Sequence, residues 1–289
     1  MKLTLNAFLI LCISTLVSNA FASLPDPVDP KVSVNFSFDQ RIAHTRQLYA
    51  QLKEATSAER LAYFEKSIDA VQKLTPEERR VLQDHLLQSR AVVCIEGNIG
   101  AGKSVVNKEL AGRGFSCANE PVESWTLLPS FYQDPGRYGF ALQCQILASY
   151  ATMGADGTLI SERGPDASLH VFARMLHTSG EITDHNFETL QRVYNATPFV
   201  LPQIIVYLDA PPELCMERIA RRGRRCENAV TLDYITQLGR HYQDFLRLMQ
   251  ARGVRVVRIP CEEFDQKSKE LADAIECVLF QACIGEEKK

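Results

Sequence analysis

A chain of 289 residues, 46% apolar and 23% charged, can bury a substantial core and fold as one large or two modest domains. Its net charge of −3 gives no basic footprint over the whole surface, which argues against a polymeric nucleic-acid partner. The nine cysteines stand singly, with no CxxC pair and no His/Cys ligand spacing, so they read mainly as small buried hydrophobes. A disulfide framework stays open only for an exported chain.

Residues 1–22, MKLTLNAFLILCISTLVSNAFA, place Lys2 before an apolar run from Ala7 to Val17 and small residues at Ser18, Ala20 and Ala22. That is the layout of a secretory signal peptide, with cleavage expected near Ala20 or Ala22. No arginine precedes Arg41, unlike a mitochondrial transit peptide, and the apolar run is short for a membrane span. Contact with a membrane is expected only through this leader, if it stays uncleaved. Residues 23–37 carry three prolines, Pro25, Pro27 and Pro30, and read as an extended linker. Residues 38–89 are rich in Gln, Glu, Arg, Ala and Leu. Thr75-Pro76-Glu77-Glu78 puts proline at a first helical position, so a helical extension is expected here.

From residue 90 to 289 the chain changes character. AVVCIEG, FSCANE, GTLISERG, QIIVYLDA and VRVVRIP are strand-like runs separated by longer amphipathic segments. That alternation predicts an α/β fold with a parallel five-stranded sheet flanked by helices, whose ligands sit at the carboxyl ends of the strands. The first run leads into CIEGNIGAGKS, with the spacing GxxxxGKS and a helical pattern following it. Strand, glycine-rich turn and helix in that order form a P-loop. Backbone N–H groups from Gly97, Asn98, Ile99, Gly100, Ala101 and Gly102 can cradle phosphate, Lys103 can reach the β/γ-phosphates, and the Ser104 hydroxyl can ligate Mg²⁺.

The other strand ends carry further chemistry. The second run ends in Glu120-Pro121-Val122-Glu123-Ser124-Trp125, and a carboxylate there can take a proton from an attacking hydroxyl. The third ends in Ser161-Glu162-Arg163, an acid for the Mg²⁺ environment beside a base for phosphate, or simply a structural ion pair. After the fourth, Arg218, Arg221, Arg222, Arg224 and Arg225 cluster around Gly223, a density of guanidinium groups suited to closing over ATP phosphates.

Taken together, EGNIGAGKS, EPVESW, FALQCQ, SERG and RIARRGRRCE resemble the deoxyribonucleoside kinase family, over about residue 90 to the C-terminus. The resemblance implies the P-loop kinase fold, here with an N-terminal helical appendage, and ATP- and Mg²⁺-dependent phosphorylation of the 5′-hydroxyl of a deoxyribonucleoside. It assigns Glu120 as general base, with Arg163 beside it and Glu162 near Mg²⁺. Tyr132 and Glu227 match the pair that holds the sugar 3′-hydroxyl, Gln143 the glutamine that reads the base edge, and Trp125 and Phe172 the aromatic walls of the pocket. Arg218, Arg222 and Arg224 match the phosphate-binding lid, and Glu263-Phe264 the short loop over adenine. A homodimer is also implied.

Two positions depart from the pattern: Gly164 follows Glu162-Arg163 where serine is usual, and Val105 follows Ser104 where threonine is usual. Tyr150 and Ser168 stand where deoxycytidine kinase has Arg and Asp, which points to a pyrimidine-leaning or broad substrate range. The competing readings are a nucleoside monophosphate kinase of the thymidylate kinase type, which would leave EPVESW unexplained, and an exported non-catalytic nucleotide-binding protein. The leader suggests export, whereas the chemistry favours an ATP-containing compartment such as cytoplasm or mitochondrion.

Overall fold

The computed structural model describes residues 75–76, 79–80, 92–152, 160–262 and 267–285. The leader, the linker, most of the helical extension and Glu263-Phe264 lie outside the described residues. The chain divides into two compact units, Leu86–Ala272 and a second made of Met1–His85 with Asp273–Lys289. In the second unit, Arg79 Nε donates to Glu276 Oε1 at 2.6 Å, and Glu276 is fully buried among Ala274, Ile275, Cys277 and Val278.

The larger unit is built on a parallel sheet in the order β2-β3-β1-β4-β5. β1 (Val93–Gly97) is buried along its whole length, as a central parallel strand covered on both faces must be. It pairs with β3 (Ile160–Glu162) through Val93 and Ile160, and with β4 (Ile204–Asp209) through Val93 and Ile204. β5 (Arg255–Pro260) forms one edge and β2 (Cys117–Ala118) the other. All five expected strands are present. β2 is the shortest, because its continuation, Asn119-Glu120-Pro121, leaves the ladder where proline has no N–H to give.

The helices follow from the turns between these strands. α1 (Lys103–Gly112) starts from Gly102, which caps it at φ 105°. α2 (Leu128–Gln133) and the long α3 (Pro135–Thr152) come next, each with proline in its first turn. Beyond β3 a helical run comprises α4 (Pro165–Ala167), a π-helical stretch from Ser168 to Ala173, and α5 (Arg174–Thr178). The widened π turn matters below, since two of its residues face the site. α6 (Asp184–Ala196) is capped by the Thr183 hydroxyl, which accepts from Asn186 N. α7 (Pro212–Arg222) ends on Gly223 at φ 66°, as the glycine after RIARR predicts. α8 (Leu232–Ala251), capped by Thr231, packs Tyr242, Phe245 and Leu246 against Cys94, Ile205 and Tyr207 of the sheet. A second cluster, with Phe131, Leu142, Leu169 and Leu190, locks α2, α3, the π-helical turn and α6 together. α9 (Ser268–Gly285) is the last described helix.

Cys94, Cys215, Cys261 and Cys277 are buried, where they act as small core hydrophobes. No helix among the described residues is long and apolar enough to cross a membrane.

Candidate active site

The P-loop turns at the end of β1, and its backbone explains its glycines. Gly100 sits at φ 82°, and a Cβ there would lie 2.5 Å from the Cys215 carbonyl oxygen. Gly97, at φ 151°, has the Leu208 carbonyl 2.9 Å from the same virtual position. The loop is therefore wedged against the starts of α7 and the end of β4, with no room for side chains at either point. Gly100→Ala is expected to cost about 1–3 kcal/mol of strain, read as a lower denaturation midpoint, with ATP binding weakened at least about tenfold. Unchanged ATP titration in that variant would remove the loop from phosphate binding.

Inside the loop the Lys103 ammonium donates to the carbonyls of Gly97 at 3.0 Å and Asn98 at 2.9 Å. Burial pushes its pKa down to about 8, aided by Arg163 and resisted by Glu120, Glu162 and Glu96. A cation kept at that cost is poised for a better anionic partner. Ser104 Oγ donates to Glu162 Oε1 at 2.6 Å, joining the start of α1 to the end of β3. Asn98 Nδ2 reaches the Ile235 carbonyl of α8 at 2.8 Å and fixes the loop from the other side.

Arg163 is the hub. It is the one non-glycine with positive φ among the described residues, at 58°, and its own N–H donates to the Ile95 carbonyl at 3.0 Å. Its guanidinium gives Nη1 to Glu120 Oε1 at 2.6 Å, Nε to Tyr242 Oη at 3.1 Å and Nη2 to the Gly97 carbonyl at 3.2 Å. Its central carbon lies 4.6 Å from the centre of the Phe172 ring. Burial opposes the charge, but Glu120, Tyr242 and Glu96 outweigh it and hold the guanidinium protonated. The Glu120 and Arg163 side chains, from different strand ends, thus form a buried charge-assisted pair.

The other side of the site is lined from α2, α3 and the π-helical turn. Gln143 is 2% exposed, and its Oε1 accepts from Ser168 Oγ at 2.9 Å, which fixes the amide and leaves Nε2 without a partner of that pair. Trp125 is buried in the helical cluster, with Nε1 donating to Ser149 Oγ at 3.0 Å, so packing and a pocket wall are one role. Tyr132 lies beside Glu227 and Tyr234, and burial first, then these neighbours, pushes its phenol well up. The Tyr150 hydroxyl is buried with no hydrogen-bond partner among the described residues.

These residues surround one cavity of about 1060 Å³, at the upper end for a small-molecule site and roomy enough for two ligands. Ile99, Gly100, Ala101, Gly102, Lys103 and Ser104 line one part; Glu120, Glu162 and Arg163 stand with them; Trp125, Tyr132, Gln143 and Phe172 complete the wall. Gly97 and Asn98 turn the loop from beneath. The arginines expected to form a lid are engaged with protein groups here. Arg218 donates to the carbonyls of Ala101 at 3.0 Å and Cys261 at 3.3 Å, bracing the P-loop. Arg222 and Arg224 both donate to Glu227, at 2.5 Å from Arg222 Nη2 and 3.4 Å from Arg224 Nη1. The residue expected on the sugar hydroxyl and two expected on phosphate thus engage one another, two guanidinium groups on one carboxylate, a pairing no spacing reveals. Sequence reading also passed over Glu96, Tyr234 and Tyr242; the one signal was a glutamate inside the buried run VVCIEG.

A parallel sheet with a P-loop at its central strand, and a phosphate-sized cradle opening onto a buried acid–arginine pair, defines a nucleotide-dependent phosphotransferase. Residues 93–279 match the family described as deoxynucleoside kinase, and the chain belongs to that family. Among its relatives, the deoxyadenosine kinase of Dictyostelium discoideum is 34% identical over 180 residues, 60% of this chain and 73% of that protein. The thymidine kinase of Ictalurid herpesvirus 1 is 33% identical over 173 residues, 54% of this chain and 74% of the viral one. The deoxyadenosine kinase of M. mycoides, solved with dCMP and dCDP bound, shares the fold with a TM-score of 0.58 at 20% identity, over 64% of this chain and 98% of its own. Membership makes the protein a phosphotransferase acting on a nucleoside hydroxyl, with ATP as phosphate donor.

Proposed function

We propose that this chain moves the γ-phosphoryl of ATP to the 5′-hydroxyl of a deoxyribonucleoside, releasing the 5′-monophosphate and ADP. The observation that carries the reading is the Glu120–Arg163 pair, set between the P-loop and the Gln143 pocket of one cavity. The base stacks between Trp125 and Phe172, Gln143 Nε2 donates to its edge, and Tyr132 with Glu227 holds the sugar 3′-hydroxyl. The 5′-hydroxyl then lies at Glu120, whose carboxylate accepts its proton as the oxygen attacks. Arg163 keeps that carboxylate aimed and its charge compensated. Lys103 exchanges two loop carbonyls for β/γ-phosphate oxygens, and Arg222 and Arg224 leave Glu227 for phosphate as Glu227 turns to the sugar.

The donors at the start of α1 fit a hard cation, since Ser104 Oγ and Glu162 Oε1 already face each other and Mg²⁺ asks little more than one carboxylate beside phosphates and water. Ser104 and Glu162 would hold Mg²⁺, which would neutralise charge on the β- and γ-phosphates when bound. Tyr150 and Ser168, both neutral, flank the base end, favouring a pyrimidine-leaning or broad range over strict cytosine choice.

Offering thymidine and thymidine 5′-monophosphate side by side tests the acceptor. Phosphate is expected on thymidine or another deoxynucleoside of a panel. Transfer to the monophosphate alone would assign the chain to the monophosphate kinases instead.

A further inference from the structure

Two buried polar groups without a role in that reading meet at a second edge of the Arg163 guanidinium. Glu96 is 1% exposed, inside a strand otherwise built of apolar side chains and glycine. Its Oε2 accepts from Tyr242 Oη at 3.1 Å and lies 3.9 Å from Arg163 Nε, while Oε1 accepts from Cys94 Sγ at 3.3 Å. Tyr242 Oη in turn accepts from Arg163 Nε at 3.1 Å. One chain of hydrogen bonds therefore runs from Glu96 through Tyr242 and Arg163 to Glu120.

A buried carboxylate is costly, and a leucine or valine would serve the sheet better if packing were the whole purpose. Burial raises the Glu96 pKa to about 7 even with Arg163, Cys94 and Lys103 pulling it down. The Tyr242 ring belongs to the core with Tyr207 and Phe245, which accounts for the ring but not for its hydroxyl. Arg163, for its part, holds a left-handed backbone conformation that a non-glycine keeps only where its surroundings over-determine it.

We infer that Glu96 and Tyr242 are positioning residues for phosphoryl transfer, fixing the Arg163 guanidinium and, through it, the Glu120 carboxylate at the angle that accepts the acceptor's proton. The inference rests on the reading of Glu120 as base. It places a buried acid and a phenol from β1 and α8 behind the reacting groups, touching neither substrate. Because Tyr242 sits mid-helix on α8, while Asn98 binds α8 one turn from its start at Ile235, the same helix orients the P-loop and the base pair together.

The test is Tyr242→Phe, which removes one hydroxyl and keeps the ring, with Glu96→Gln alongside, each made in wild-type and Glu120→Gln backgrounds. In wild type each is expected to lower kcat about tenfold, with both KM values within about twofold, because only aim at the reacting proton is lost. In the Glu120→Gln background the second substitution is expected to cost nothing further, since its effect passes through Glu120. Should Glu96→Gln not fold, Tyr242→Phe carries the test alone. Full kcat in Tyr242→Phe, or an equal loss in both backgrounds, overturns the inference while leaving the kinase reading intact. Wild-type-like activity in Glu120→Gln overturns the reading itself and this inference with it.

Discussion

Glu120→Gln is expected to lower kcat by about 100- to 10,000-fold, the range in which a positioned general base acts. Glutamine fills the same volume and still offers a carbonyl oxygen to Arg163 Nη1, which now lies 2.6 Å from Oε1. The geometry of the buried pair is thereby kept, and what is lost is the lone-pair basicity that the proposed mechanism needs for the 5′-hydroxyl proton. Affinity for ATP is expected to be unchanged, because no P-loop atom is altered, and nucleoside affinity to move by less than about threefold. Initial rates with saturating ATP, set beside nucleotide titrations, separate these quantities. A variant with intact kcat would place the base elsewhere on the strand ends.

Lys103→Met is expected to reduce kcat/KM for ATP by about 100- to 1,000-fold, the scale set by removing one preorganised donor from a developing charge. Methionine approximates the length and flexibility of the lysine stem, so α1 should keep its first turn. The lost ammonium is buried, has its pKa pushed down to about 8 and donates to the Gly97 and Asn98 carbonyls. Two neutral acceptors repay little of that burial, whereas triphosphate oxygens repay it through full charge pairing. Nucleoside binding measured without ATP should be unaffected, which distinguishes loss of a phosphate contact from collapse of the site. A variant that binds ATP as wild type would contradict the phosphate role of this lysine.

Much of the architecture could be read from local pattern. The apolar runs at Val93, Ile160, Ile204 and Val256 became parallel strands, with β1 and all but the last residue of β4 buried as their largely apolar pattern implies, and GNIGAGKS could only turn where it does. Gly223 ended α7 as its position after RIARR implies. The contacts that organise the site were less legible, because they join residues far apart in the chain. Arg163 reaches Glu120 across 43 residues and Tyr242 across 79, and neither separation leaves a periodic trace. The π-helical turn that brings Ser168 to Gln143 and sets Phe172 under Arg163 has no composition of its own. Arg222 and Arg224 were legible as a cationic cluster, but not their pairing with Glu227, since charge density in a sequence names no partner.

That pairing gives the proposed lid a stated starting point. Arg222 and Arg224 share Glu227, which is 5% exposed, so under the proposed roles phosphate and a sugar hydroxyl together offer both sides a replacement partner. Binding of the two substrates is thereby expected to be mutually favourable, each relieving a contact that the other also needs broken.

The measurement that bears most directly on the central claim is product analysis by phosphorus NMR, with ATP, Mg²⁺ and a panel of deoxyribonucleosides. The account predicts a deoxynucleoside 5′-monophosphate formed in equal amount with ADP, from at least one member of the panel and without prior phosphorylation of the acceptor. ATP and nucleoside bound at the site with no transfer between them, or phosphate appearing only on a monophosphate acceptor, would contradict it.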